Sequence, residues 1–145
     1  MTTSDEAQIR ALLRDRSEAI RDKDAERVLG AYAPAAVLYD LAPPLGVQGD
    51  REEGRARLES WFSTWASPIE YDLHGFTVDV GGDLALAHGL LRIGGLKTDG
   101  SAVEVWVRQT VGLRRAGSGW AIAHEHTSVP FLMDGSFRAA VDLVP

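Results

Sequence analysis

Three places in this 145-residue chain set a chemically able side chain in an otherwise apolar stretch. Asp40 follows Ala36-Val37-Leu38-Tyr39. A carboxylate carried inward there must be paired or neutral. Held beside a carbonyl compound, it can act as a general base that removes the neighbouring proton. The same residue could instead open the turn into Pro43 and Pro44 by accepting backbone hydrogen bonds, a common use of aspartate. Arg108 lies between Trp106 and Thr110 on a valine-rich stretch. An arginine so placed either holds a ligand anion or pairs with Asp40 or Glu104. His124 and His126 are two apart, so on a strand they share a face. That suits a metal, but metal sites take three or four ligands, and no spacing obliges His88 or Asp40 to join them. Hydrogen-bonded imidazoles, one orienting a pocket group, are the simpler expectation, with no metal.

Other chemistries lack their signatures. Ser60 and Ser128 have no G-x-S-x-G elbow around them. The glycine-rich turns lack the dinucleotide and Walker patterns, and no cofactor is expected. The absence of cysteine removes disulfides, thiolate metal sites and a thiol nucleophile. The net charge is −6, and Arg51, Arg55 and Arg57 are mixed with Glu52, Glu53 and Glu59. Such a surface offers no basic patch to a nucleic acid. The first residues carry no signal-peptide pattern, and the apolar runs fall short of the ~20 residues a membrane span needs. No membrane partner and a cytoplasmic location are therefore expected.

The elements that must position these residues follow from periodicity. Thr3 with Glu6 fits a capping box, and Ile9, Leu12, Leu13, Arg16, Ala19 and Ile20 recur at helical spacing, predicting a helix over 4–21. Asp24 caps a short second helix carrying Val28, Leu29 and Tyr32, stopped by Pro34. Residues 36–41 read as a strand, and Pro43-Pro44 cannot continue a ladder. Asp50 with Glu53 opens a third helix over 51–65, with Leu58, Trp61, Phe62 and Trp65 on one face. Four long strands follow over 69–80, 84–93, 102–115 and 120–129, joined by glycine-rich turns. Helices first and an antiparallel meander second predict one α+β domain over 1–145, its curved sheet covered by the three helices.

Alternation sorts the strand faces. Trp120, Ile122, His124, His126 and Ser128 fall on one side of the last strand, and Glu125 and Thr127 on the other. Glu104, Trp106, Arg108 and Thr110 oppose Val105, Val107, Gln109 and Val111. The polar–aromatic faces are expected to line a pocket beside Trp61 or Trp65, because exposed tryptophans would leave large apolar areas in water. The aliphatic faces are then free to join a second copy, predicting a homodimer.

The run Gly119–Phe131, with Trp120, His124, Glu125, His126 and Pro130, resembles the terminal strand of SnoaL-like domains in the nuclear-transport-factor-2-like superfamily. Tyr39-Asp40-Leu41-Ala42-Pro43-Pro44 and Trp106-Val107-Arg108-Gln109-Thr110 support the likeness. The resemblance implies a conical α+β barrel, commonly dimeric, with a pocket between helices and sheet. The superfamily includes ketosteroid isomerases, cyclases, dehydratases and members without known activity. Its isomerases use an aspartate base with a tyrosine and a protonated aspartate as oxyanion donors. Asp40 stands near the base position, but no donor pair is matched, so His126 or Arg108 would replace it. The expected function is proton transfer on a small, carbonyl-bearing apolar molecule. Asp40 would be the base, His126 and Arg108 would steady the oxyanion, and Trp61, Trp65, His88, Trp106, His124 and Ser128 would hold the ligand. The alternatives are a binding module without turnover and a dimeric interaction module.

Overall fold

The structure is a computed structural model that describes residues 4–145. Helix α1 (Asp5–Arg21) starts where Ser4 Oγ accepts from the Ala7 N–H at 3.2 Å, satisfying one of the free amides of a helix N-terminus. Thr3 of the expected capping box lies outside the described residues. The buried stripe of α1 is Ile9, Leu13, Arg16, Ala19 and Ile20, which places a charge in an apolar row. Asp24 caps α2 (Ala25–Leu29) by accepting from Arg27 N–H. Tyr32 does not belong to that helix. It opens β1 (Tyr32–Tyr39), and Pro34 lies within this strand. The ladder to the neighbouring strand skips from Tyr32 to Val37, so the missing proline N–H falls where no partner is needed.

Strand β2 (Val47–Gln48) pairs antiparallel with β1 and was not foreseen. Asp50 caps α3 (Arg51–Phe62), accepting from Glu53 N–H at 2.9 Å. The helix ends three residues earlier than expected, and Trp65 instead bridges to Lys97. The meander is as expected: β3 (Glu70–Gly81), β4 (Leu84–Leu96), β5 (Ala102–Ala116) and β6 (Gly119–Ser128) pair antiparallel in turn. Strand β1 returns parallel to β6, giving one curved, open sheet in the order β2-β1-β6-β5-β4-β3. The inner side of the sheet buries Leu91, Ile93, Val107, Val111, Leu113 and Ile122. Phe62, Trp65, Ile20 and Val28 join one half of that core, and Ile9 and Leu13 the other.

The strand faces correct the sequence reading. On β5 the valine face is the inner one: Val107, Gln109, Val111 and Leu113 are buried, while Arg108 and Thr110 are exposed and Trp106 is half-buried. The aliphatic row is core, because it is what the helices have to cover. On β6, Trp120 and Ile122 point inward, and so do Glu125 and Thr127. The parity changes because Leu113 pairs with Ile122 and the next pair is Gly112 with His124, leaving Ala123 as an extra residue. Such a bulge shifts every later side chain by one position. His124, His126 and Ser128 therefore leave the face of Trp120 and turn outward.

A second bulge between His74 and Thr77 includes Gly75, whose φ of +61° favours glycine. It lets Phe76 fold over Gly89, where a Cβ would lie 2.5 Å from the Phe76 ring and 2.8 Å from His74 O. Gly89→Ala should cost about 1–3 kcal/mol by overpacking. The expected result is a lower urea midpoint with an unchanged slope.

Candidate functional site

The inner side of the sheet carries a polar network around Arg16 of α1. The Arg16 side chain is fully buried and pairs with Glu125 of β6. Its Nη1 also donates to Tyr32 Oη at 3.0 Å, and its Nη2 to Gln109 Oε1 at 2.9 Å. Tyr32 in turn donates to Glu125 Oε2 at 2.8 Å. Gln109 uses its amide to donate to Tyr71 Oη at 3.1 Å and Thr127 Oγ1 at 3.2 Å. Burial alone would lower the Arg16 pKa. The Glu125 carboxylate, helped by the Tyr32 hydrogen bond, outweighs it and holds the guanidinium charged, well above its ordinary value.

Two members of this assembly have protons to trade. Tyr71 is pushed up to about 12, first by burial and against the pull of Arg16, with the charges of Glu125 and Asp40 adding. Its oxygen accepts from Gln109, so the phenolic proton is left to face a further acceptor. Asp40 lies one residue past β1. Leu38 is opposite Glu125 and Tyr39 opposite His126, and Asp40 follows where the ladder has ended. Its side chain reaches solvent at the strand end, but the protein crowded around it raises the carboxyl above the usual value. The Leu41 N–H, donating to Asp40 Oδ1 at 2.7 Å, opposes this. The Glu125 charge adds to the rise, and Arg57 on α3 works against it. The end of β1 thus holds an acid of raised proton affinity within electrostatic reach of a neutral phenol.

The expected site residues do not come together. Asp40 is exposed just past the end of β1. Trp61 and Trp65 lie on the helix side, packed edge to face at 6.0 Å; Trp65 is core and Trp61 half-covers it. Arg108, Trp106, His88, His124, His126 and Ser128 lie on the outer face. Arg108 Nε donates to Ser128 Oγ at 3.2 Å, and neither Asp40 nor Glu104 is its partner; Glu104 instead approaches Arg92 at 3.7 Å. His124 Nδ1 meets Val37 O at 2.7 Å; a carbonyl only accepts, so that nitrogen carries a proton. The Trp106 ring stands edge-on to His74 at 4.8 Å. A surface depression of about 470 Å3 is also outside, lined by His74, His88, Leu90, Arg108 and Thr110. Sequence reasoning missed Tyr32, Tyr71, Gln109 and Glu125. The legible signal was Arg16, an arginine on the apolar period of α1, which requires buried partners.

The model of the SnoaL-like domain matches residues 9–132. The chain belongs to the SnoaL-like family. Among solved structures, this SnoaL-like domain is similar to an NTF2-like protein of unknown function from Pseudomonas putida. That protein is 36% identical over 100% of this chain and 99% of the other, with a TM-score of 0.87. It also shares its fold with a ketosteroid isomerase-like protein from Erwinia carotovora atroseptica, at 21% identity, 88% and 97% coverage and a TM-score of 0.73. A proposed dehydratase of the NTF2-like family from Streptomyces avermitilis matches at 24% identity, 86% and 95% coverage and a TM-score of 0.73. No curated protein matches the domain. Among the described residues, no helix is long and apolar enough to cross a membrane.

Proposed function

We propose that the region around Asp40 and Tyr71 in this SnoaL-like domain binds a small, largely apolar carbonyl compound and moves a proton on it. The reading rests on Tyr71, a phenol held neutral whose oxygen already accepts from Gln109, set within electrostatic reach of Asp40. In this scheme the Asp40 carboxylate removes a proton from the carbon beside the carbonyl. The C–H electron pair moves into the adjacent bond, and the carbonyl oxygen takes up negative charge. The Tyr71 O–H donates to that oxygen. Protonated Asp40 then returns the proton, to the same carbon or to one conjugated with it, so no cofactor or net redox change is needed. Arg57 on α3 is within electrostatic reach of Asp40. Tyr71 replaces Arg108 and His126 in the oxyanion role, because those two lie on the other face.

Exchange of the α-protons of apolar cyclic ketones for deuterium, followed by NMR, tests this directly. The wild type should accelerate exchange, and Tyr71→Phe should lower the enzymatic rate by roughly 100-fold. The rate should rise with pH through a limb displaced above the ordinary carboxylate range, because Asp40 must be ionised to act and its pKa is raised. Binding of the ketones without any exchange would instead favour the module without turnover, in which the Leu41 contact is Asp40's whole role.

A further inference from the structure

Gln109 of β5 is a buried amide with every group engaged. Its Oε1 accepts from Arg16 Nη2 at 2.9 Å, and its Nε2 donates to Tyr71 Oη at 3.1 Å and to Thr127 Oγ1 at 3.2 Å. Arg16 itself makes no hydrogen bond to Tyr71; its guanidinium carbon stands 5.7 Å from the centre of the Tyr71 ring. We propose that Arg16 is a positioning residue that fixes the direction of the Gln109 amide and, through it, leaves the Tyr71 hydroxyl proton free for the ligand oxygen. The inference rests on the reading of Tyr71 as the oxyanion donor.

The two ends of a glutamine amide are alike in shape and opposite in polarity, so a half-turn about its last bond exchanges them. At Gln109 the two settings have different consequences. With the nitrogen toward Tyr71, an N–H occupies the phenolic oxygen and the phenolic proton points elsewhere. With the carbonyl toward Tyr71, the phenol donates to it and spends its proton inside the network. Neither Tyr71 nor Thr127 chooses between the settings, because a hydroxyl both donates and accepts. Arg16 does choose, because a guanidinium only donates. Turning the amide nitrogen toward Nη2 would set donor against donor and leave buried hydrogens without an acceptor, at the full cost of their desolvation.

Arg16 is itself held in place. Its side chain is fully covered, and its Nη1 is engaged by Glu125 and by Tyr32 Oη, which are bonded to each other. The donors therefore run one way, from Arg16 on α1 to Gln109 on β5 to Tyr71 on β3. Among the described residues no group accepts from the Tyr71 hydroxyl, so the last donor of the row is left for a ligand. Each bond in such a row polarises the next, which makes the phenol at its end a stronger donor than an isolated one. The Gln109 N–H also favours the phenolate, working against the burial that raises the Tyr71 pKa.

Fluorine NMR of the fluorotyrosine-labelled chain, with ketone exchange measured on the same variants, tests the proposal. Arg16→Lys keeps a cation for Glu125 but gives up the arm that holds Gln109. Gln109→Met removes the amide, fills its space and leaves the Arg16–Glu125 pair in place, so it serves also where Arg16→Lys fails to fold. In both, with circular dichroism intact, Tyr71 should titrate at higher pH than in the wild type, because the N–H that favours its phenolate is lost. Exchange should fall roughly 10-fold, about the worth of one hydrogen bond. The double variant should lose no more than Gln109→Met alone, since both changes break one row. Neither change should lower the residual rate of Tyr71→Phe. Losses that multiply in the double variant, or a Tyr71 that titrates as in the wild type in either single variant, would overturn the positioning role. A wild type without ketone exchange would sink the functional reading instead, and the Tyr71 titrations would still decide whether Arg16 acts through Gln109.

Discussion

Asp40→Asn should lower ketone proton exchange by roughly 100-fold or more and leave the protein as stable at pH 7 as the wild type, or more so. Both halves come from the same environment. Burial raises the Asp40 carboxyl above its unfolded value, so the folded state favours the protonated form. Any stability this gives is present at low pH and is lost as the pH rises through the raised value. At neutral pH the ionised group therefore weighs against folding, and asparagine removes that weight while keeping the shape and an acceptor for the Leu41 N–H. If Asp40 only begins the Pro43–Pro44 turn, the outcome reverses. Stability then falls by about 1 kcal/mol with the weakened hydrogen bond, and exchange by the folded fraction survives. Urea melts and exchange rates on the same samples separate the two accounts.

Arg16→Met is expected to be the most destabilising single change, at about 3–5 kcal/mol. It would leave Glu125, whose side chain is 11% exposed, without its cation, and would remove donors from Tyr32 and Gln109 together. Against a total stability of roughly 5–15 kcal/mol, that is a large share. A raised guanidinium pKa contributes stability at every pH below its ordinary value, so the loss should show across the accessible range. The double variant Arg16→Met, Glu125→Leu should recover much of it, because an apolar pair of similar volume carries no desolvation cost. Recovery should be incomplete, since Tyr32 then loses both its donor and its acceptor. Chemical denaturation of the single and double variants measures the difference.

The fold was legible because its signals are local. Caps at Asp24 and Asp50, the 3.6-residue stripe of α1 and the glycine turns of the meander each act within a few residues. The faces were harder to read. Alternation fixes which residues share a side but not which side is covered, and on β5 the choice fell to Trp106 and Arg108 rather than to the valines. The valines win because they form a continuous apolar row against Leu91 and Ile122, whereas Trp106 is sheltered outside by His74. On β6 the error has another cause. A single unpaired alanine carries no sequence mark, yet it separates the inward Trp120 from the outward His126. The apolar run before Asp40 suggested an inward carboxylate, whereas the residue is exposed just past the end of β1. Tyr71 was missed, because its role depends on Gln109 two strands away.

Ala123 also says something about how this domain can vary. The extra residue adds bend and twist to β6, but it carries no partner across the ladder. Without it, Ile122 and His124 would be neighbours in a regular strand, and their present pairs, Leu113 and Gly112, are already adjacent. The inward set Ile122, Glu125 and Thr127 and the outward set His124, His126 and Ser128 would each keep their side. The strand can therefore lose this residue by deletion without transposing its two surfaces. Two relatives could share every inward and outward position here and still differ by one in the distance from Trp120 to His126.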